Sequence, residues 1–120
     1  MSAIAVTGNV TTAVQTNFSF YKGEDVAVTD TMSPATGISG WSLQFTLRKN
    51  YGDPTPLLTK TIGAGITVTD AVNGVFTIAL ANADTANLAP GAYVYDIERT
   101  NAGNRTVLTI GVLNILPEVY

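Results

Sequence analysis

The strongest secondary-structure signal in the sequence is the stretch Trp41-Ser42-Leu43-Gln44-Phe45-Thr46-Leu47-Arg48. Its odd-numbered residues are large and apolar, and its even-numbered residues are polar. Because successive side chains of a β-strand point to opposite faces, this period of two predicts a strand with one face in a core and the other in water. Asp53-Pro54, which follows a few residues later, marks the end of the strand.

Shorter alternations of the same kind recur along most of the chain. They are clearest over residues 25–29, 75–80 and 92–98, and a long final strand is predicted over 106–116. Threonine, valine and isoleucine make up 38 of the 120 residues, and these β-branched side chains favour a sheet over a helix. We therefore predict an all-β fold, an immunoglobulin-like two-sheet β-sandwich of about seven strands, with an up-and-down barrel as the alternative.

The final predicted strand is unusual because both of its faces are apolar. One interpretation places a β-bulge at Gly111, which would exchange the two faces midway along the strand. The other interpretation is that both faces are buried, one of them by another subunit. The residues concerned are Leu108, Ile110, Val112 and Leu116 on one face, and Val107, Leu113 and Ile115 on the other.

The first 16 residues differ in composition from the rest of the chain, since none of them is charged. We predict two segments, an extended N-terminal arm over residues 1–16 and a sandwich domain over 17–120. An uncharged, strand-forming arm would be a site of aggregation if it were left unpaired. We therefore expect the arm to pair either with its own sheet or with a neighbouring subunit.

The composition excludes several classes of function. The chain has no histidine and no cysteine, which removes the usual bases, thiol nucleophiles and zinc or iron–sulfur ligands, and we expect no enzyme activity, no metal and no cofactor. Its net charge of −3 argues against a nucleic-acid partner. No stretch approaches the ~20 apolar residues of a membrane helix, and the N-terminus lacks the pattern of a signal peptide, so we expect no membrane partner.

Two small groups of side chains are candidate ligand sites. Asp96 and Glu98 share one face of a predicted strand, and paired carboxylates can transfer protons or bind a cation. The favoured interpretation is nevertheless a solvent-exposed strand face. Tyr51 and Tyr21 could stack on a sugar, so a carbohydrate-binding module for host attachment is the alternative from a different class of function.

A more specific motif is Leu88-Ala89-Pro90-Gly91-Ala92-Tyr93. A short helical candidate over residues 82–88 is followed by Pro90-Gly91 and by a strand that opens with Tyr93, which is typical of a tyrosine corner. The phenol is expected to donate a hydrogen bond to the backbone near residues 86–88. We assign this motif (Leu88, Pro90, Gly91 and Tyr93) a structural role.

Several turn and corner motifs together resemble a family of tailed-phage virion domains, in particular the N-terminal domain of baseplate upper proteins. The resemblance covers about residues 18–118 and implies an immunoglobulin-like sandwich that docks a protein onto a virion. It implies no catalytic or cofactor residues. The motifs are Phe20-Tyr21-Lys22-Gly23-Glu24-Asp25, Gly40-Trp41-Ser42-Leu43-Gln44-Phe45, Asn73-Gly74-Val75-Phe76, Leu88-Ala89-Pro90-Gly91-Ala92-Tyr93-Val94-Tyr95-Asp96 and residues 111–117.

A separate sandwich with an arm is also similar to capsid decoration, or cement, proteins, which bind the outer shell of a virion. We therefore expect a structural protein of a phage virion, assembled in the host cytoplasm, and a capsid decoration protein is the first hypothesis. A tail, baseplate or neck adaptor is the alternative. The expected partners are the major capsid protein or tail proteins, together with further copies of the chain in a homo-oligomer. The residues expected to contact other subunits are Ile4, Val6, Val10, Val14, Leu113 and Ile115.

Overall fold

The computed structural model describes residues 2–101 and 103–117, and its regular structure is almost entirely β, as the sequence predicts. The one helix in these ranges has four residues, and no described helix has the length or apolar character that crossing a bilayer requires. The elements are β1 (Ser2–Gly8), β2 (Val14–Gln15), β3 (Phe18–Tyr21), β4 (Val26–Met32), β5 (Ser42–Arg48), β6 (Leu58–Ile62), β7 (Gly65–Asp70), β8 (Val75–Leu80), α1 (Asn82–Thr85), β9 (Gly91–Asn101) and β10 (Asn104–Leu116).

The strands form one continuous sheet that curves back toward itself like a barrel. Its order is β1-β4-β8-β7-β6-β5-β9-β10-β2, and β3 also pairs with β10. Between the long strands, the shortest junction is β6–β7, where only two residue pairs meet, whereas β5 and β9 pair over seven. This junction separates a layer made of β1, β4, β8 and β7 from a layer made of the other strands. The strand order within the two layers follows the immunoglobulin pattern, although β1 runs parallel to β4.

The prediction of about seven strands in two separate sheets differs from this structure in detail. Ten strands are present in the described residues, and the two layers are joined. The additional strands lie mainly in the N-terminal segment, where β2 has only two residues. Strands this short, or lying at the edge of a sheet, do not require the long apolar–polar alternation by which a strand is recognised in a sequence.

The core lies between the two layers and consists of the inward-facing side chains that the alternation predicts. In β5 the side chains of Leu43, Phe45 and Leu47 are at most 2% exposed. Facing strands contribute further buried groups, and each fully buried side chain stabilises the fold by about 1.5–3 kcal/mol. These groups include Val28 from β4, Phe76, Ile78 and Leu80 from β8, and Tyr93, Tyr95 and Ile97 from β9.

The bulge in β10 lies three residues before the predicted position. The pairing with β9 shifts between Val107 and Thr109, so the additional residue is Leu108. Gly111 has a different role, because a Cβ atom there would lie 2.0 Å from the carbonyl oxygen of Thr16. Glycine is therefore needed where the N-terminal segment crosses β10, and the Thr16 amide donates to the Ile110 carbonyl at 2.8 Å beside it.

A buried polar contact joins β1, β4 and β10. The Asp30 carboxyl is fully buried, and its Oδ2 lies 2.8 Å from the Thr109 hydroxyl, which lies 2.9 Å from the Thr7 carbonyl oxygen. The Thr109 hydroxyl has one proton to donate, so both contacts are hydrogen bonds only when Asp30 is protonated and donates to Thr109. Burial raises the pKa of Asp30 to about 6, against the opposing effect of the Thr109 hydrogen bond.

The segment between β8 and β9 has the geometry of a tyrosine corner. The Tyr93 hydroxyl donates to the Ala89 carbonyl oxygen at 2.6 Å, one residue beyond the expected range of 86–88. Gly91, with φ of +147°, turns the chain into β9, and Leu88 packs against the core. Pro90 is exposed at the corner. The Lys49 ammonium group lies 4.5 Å from the centre of the Tyr93 ring, on the outside of this turn.

Replacing Asp30 by asparagine should remove a pH-dependent contribution to stability. The Asp30 pKa is about 6 in the folded protein against a usual 3.8, so bound protons favour folding by about 3 kcal/mol. This contribution is complete below the usual pKa of 3.8 and is lost as the pH rises through about 6. Between these two values the free energy of unfolding of the wild type should fall relative to that of Asp30→Asn, as measured by urea titration with circular dichroism. If the free energies of unfolding of the two proteins changed with pH in parallel, the raised pKa of Asp30 would be contradicted.

Replacing Tyr93 by phenylalanine should destabilise the fold by about 1 kcal/mol, because the hydrogen bond from the buried phenol to the Ala89 carbonyl is lost. Thermal unfolding measures this difference. The matched control is Tyr51→Phe, because the Tyr51 side chain is 61% exposed and its hydroxyl makes only a 3.4 Å contact with the Gly111 carbonyl. We expect the control to change stability by less than about 0.5 kcal/mol. Equal losses of stability in the two variants would mean that the Tyr93 hydrogen bond stabilises the fold no more than an exposed hydroxyl does.

Candidate functional site

The described part of the predicted arm, residues 2–16, is hydrogen-bonded into the chain's own sheet. β1 pairs with β4 over seven residue pairs, and β2 pairs with Thr109 and Ile110 of β10. The Tyr95 hydroxyl also donates to the Thr16 carbonyl oxygen at 2.6 Å. Of the two arrangements left open by the sequence, this structure has the segment paired with its own sheet. Residue 1 and residues 118–120, which end the two predicted segments, lie outside the described residues.

The six side chains predicted to contact other subunits lie in the core of this chain or close to it. Val6, Leu113 and Ile115 are 4%, 1% and 1% exposed, because alternation along β1 and β10 turns them inward. Ile4 and Val10 are half-buried against the core, and Val14 is half-buried in β2. Because the side chains of Val6, Leu113 and Ile115 point inward, they have almost no solvent-accessible surface in the folded monomer. Contact with other subunits through these residues stays a prediction.

The main chain of β1 offers a different means of contact, because one of its two edges is open. Among the described strands, only β4 pairs with β1, and β1 is the terminal strand of the sheet order. Its end is anchored where the Asn9 amide donates to the Leu108 carbonyl at 3.2 Å. Ala3 and Ala5 are exposed, and the strand contains no charged residue and no proline. It therefore lacks the features by which proteins normally protect an edge strand from pairing.

The acidic pair on β9 is neutralised by two arginines. Glu98 is only 5% exposed and forms an ion pair with Arg105, and the Asp96 carboxylate lies 4.0 Å from the Arg48 guanidinium. Burial raises the pKa of Asp96; Glu98 acts in the same direction, and the two arginines oppose it. The expectation of a solvent-exposed pair is wrong for Glu98, because Arg105 on the neighbouring strand pairs with it. In the ranges that the structure covers, no three acidic, histidine or cysteine residues are grouped to hold a metal ion.

The two tyrosines considered for sugar binding do not form one platform. Tyr21 is 42% exposed and pairs with Leu116 of β10, whereas the Tyr51 hydroxyl reaches the Gly111 carbonyl. These two points are five residues apart along β10, which corresponds to roughly 16 Å. Each tyrosine is therefore a separate exposed aromatic group.

A surface pocket of about 360 Å³ opens beside Trp41. Strand pairing brings its walls together, since Thr61 pairs with Gln44 and Thr100 pairs with Ser42. The sequence predicts Trp41 as a core residue, but β5 begins one residue later and the indole is only half-buried. The lining residues are Trp41, Ser42, Leu43, Gln44, Thr61, Ile62 and Thr100.

Sequence reasoning missed this pocket because its residues come from three strands. A local signal was nevertheless present, since Trp41 directly follows Gly40, which adopts a φ of +80° at the end of a loop.

Comparisons with known proteins support the fold. No protein-family model matches the chain, and no curated protein gives a significant match. Among solved structures, the chain is similar to the N-terminal domain of phage TP901-1 ORF48, with a TM-score of 0.62 at 12% identity, over 98% of this chain and 100% of that one. The ZIG-8–RIG-5 IG1–IG1 heterodimer is a weaker match, with a TM-score of 0.43 at 15% identity, over 88% and 83%.

The predicted resemblance to a phage domain is thus supported at the level of the fold. The resemblance to cement proteins stays a prediction.

Replacing Val6 by alanine should lower stability by about 1–3 kcal/mol, because the truncation leaves a cavity in the core. The matched control is Val72→Ala, because Val72 is 80% exposed in a turn and should change stability by less than about 0.5 kcal/mol. Urea titration measures both. Deleting residues 1–16 should likewise unfold the domain, because it removes β1 and β2 from the sheet. A stable deletion protein would show that β1 and β2 contribute little to the fold.

Proposed function

We propose that the chain is a non-enzymatic structural protein of a phage virion that acts by docking onto another virion protein. The observation that carries the proposal is the full-length fold likeness to the N-terminal domain of phage TP901-1 ORF48, which spans 98% of this chain and all of that domain. At 12% identity the likeness concerns the fold alone. The step to function comes from the sequence motifs, which resemble the N-terminal domains of phage baseplate upper proteins.

The composition of the surface supports an assembly role. Charged residues make up 12% of the chain, about half the ~25% that is usual for soluble domains. Charged side chains keep proteins apart in solution, so a surface with few of them suits a protein that neighbours cover. Large apolar side chains that remain exposed include Tyr51, Leu57 and Ile62.

The open edge of β1 is the proposed docking element. A partner strand could add to this edge through main-chain hydrogen bonds, the mode known as β-augmentation. The edge belongs to an uncharged strand of seven residues that pairs on its other side with β4, and it is open before Thr7, whose carbonyl accepts a hydrogen bond from Thr109 of β10. A preformed strand also reduces the conformational entropy that binding costs, since β1 is already extended before the partner arrives. The virion is therefore the proposed location, and homo-oligomer formation remains a separate prediction.

The position favoured within the virion is the tail or baseplate. The hypothesis of capsid decoration depended on an arm free to bind neighbouring subunits, and residues 2–16 are used in the chain's own sheet. Decoration remains the second candidate, because the low content of charged residues also suits contacts repeated over a shell. Mass spectrometry of purified particles separates the two: hundreds of copies indicate the shell, and a small number set by the rotational symmetry of a tail ring indicates the baseplate.

Placing lysines at Ala3 and Ala5 should prevent incorporation into particles without unfolding the domain. Both side chains are exposed, and positive charge on an edge strand opposes pairing with another strand. The matched control is Ala79→Lys. Ala3 of β1 pairs with Ala27 of β4, which pairs with Ala79 of β8. Ala79 is therefore exposed on the same face of the sheet as Ala3 but lies two strands in from the edge. Incorporation is measured by adding purified variants to particles that lack the protein, followed by sedimentation and immunoblotting.

The proposal expects the edge variant to stay in the supernatant and the control to sediment with particles. Circular dichroism shows whether both variants are folded. Loss of incorporation in the control alone would indicate docking through the sheet face and would overturn the role of the edge. Failure of the folded wild type to associate with any particle would overturn the virion function itself.

A further inference from the structure

We propose that the pocket beside Trp41 is a binding site for a neutral carbohydrate. The proposal is independent of the virion function, because the pocket and the docking edge are separate. The pocket lies where β5, β6 and β9 meet in one layer, whereas β1 is the terminal strand of the other layer. A partner strand on β1 would therefore leave the pocket open.

The chemistry of the lining matches a sugar ring. Trp41 and Ile62 supply apolar surface, and none of the seven lining residues carries a charge. A pyranose presents C–H bonds on its faces and hydroxyl groups around its rim, so it needs an aromatic or apolar wall together with neutral donors and acceptors. The neutral polar groups are the hydroxyls of Ser42, Thr61 and Thr100 and the amide of Gln44.

The aromatic wall is held in position before any ligand arrives. The Arg99 guanidinium lies 4.3 Å from the centre of the Trp41 ring, which is the geometry of a cation–π contact. The backbone of Trp41 is fixed as well, because its amide donates to the Ile38 carbonyl at 3.1 Å. On the polar side, the Gln44 amide nitrogen donates to the Thr46 hydroxyl at 3.1 Å, which orients that side chain. Groups that are already oriented lose little entropy on binding.

The size and polarity of the pocket favour a sugar over other ligands. A volume of about 360 Å³ lies at the lower end of the usual range for small-molecule sites, which suits a short oligosaccharide end rather than a dinucleotide or a haem. An anionic ligand would require a cationic lining, and none of the seven lining residues is charged. A purely apolar ligand would take the hydroxyls of Ser42, Thr61 and Thr100 out of water without replacing their hydrogen bonds, which costs free energy. Ile62, 44% exposed, provides apolar surface for the sugar to cover.

The chain provides its own reporter for the test, because Trp41 is its only tryptophan. The full chain is first applied to an array of neutral and sialylated glycans. It is then titrated with galactose, glucose, N-acetylglucosamine and the neutral oligosaccharides that the array identifies, while the Trp41 emission is followed. The expected result is binding to a subset of neutral glycans with a saturable change in the emission.

The variant that tests the site is Thr61→Val with Thr100→Val, which removes two hydroxyls, keeps the side-chain shape and leaves the tryptophan in place. Loss of two hydrogen bonds should weaken binding at least about tenfold. Trp41→Ala should abolish binding on the array. The matched control is Tyr51→Ala, which removes an exposed aromatic group outside the pocket and should leave binding unchanged.

Three results would overturn the proposal: no binding to any neutral glycan, undiminished binding by the double valine variant, or loss of binding in Tyr51→Ala alone. The last result would place a sugar site at Tyr51 instead. Particle association of the same variants is measured separately. If the chain binds glycans but never joins particles, the virion function is overturned and this site is kept. If the chain joins particles but binds no neutral glycan, this site is overturned and the virion function is kept.

Discussion

Main-chain pairing of the N-terminal segment with both layers of the sandwich is the constraint on which the other features depend. β1 pairs with β4 in one layer, and β2 and β3 pair with β10 in the other, so one stretch of chain connects the two. The connection is possible because Gly111 lets the backbone at Thr16 approach β10 closely. Beside it, the contact of Asp30 with Thr109 buries a carboxyl group where β1, β4 and β10 meet. The packing thus raises the pKa of an ionisable group at the centre of the fold.

This pairing also determines which surfaces remain for other molecules. In the N-terminal segment Val6 faces inward and Ile4, Val10 and Val14 are half-buried, so these side chains leave little surface for a neighbour. Its backbone, in contrast, is hydrogen-bonded to β4 along one edge of β1 and is open along the other edge before Thr7. The proposed docking mode therefore relies on main-chain groups, and its specificity would come from exposed side chains beside the edge, such as Ala3 and Ala5. The Trp41 pocket lies in the second layer and is built by a different set of strands.

Part of the candidate site could be anticipated from the sequence and part could not. The alternation correctly gave Asp96 and Glu98 one common face, because two residues apart on a strand always share a face. It could not show that Glu98 is buried, since Arg105 reaches it from the adjacent strand after the β9–β10 turn. Trp41 illustrates the same limit. Its position in an apolar series indicated the core, but the series passes the end of the strand, where the indole packs only partly against the core and also borders Arg99 and the pocket.

The sequence by itself determined the all-β class and the inward direction of residues such as Leu43, Phe45 and Leu47, because the period of two is a property of neighbouring residues. The tyrosine-corner motif was recognisable for the same reason, since Ala89 and Tyr93 are four residues apart. Only the tertiary structure decided that the uncharged N-terminal segment joins its own sheet, that the bulge is at Leu108, and that Thr61 and Thr100 meet beside Trp41. These outcomes depend on which strands pair, and pairing is selected by the combined packing free energy of residues far apart in the chain.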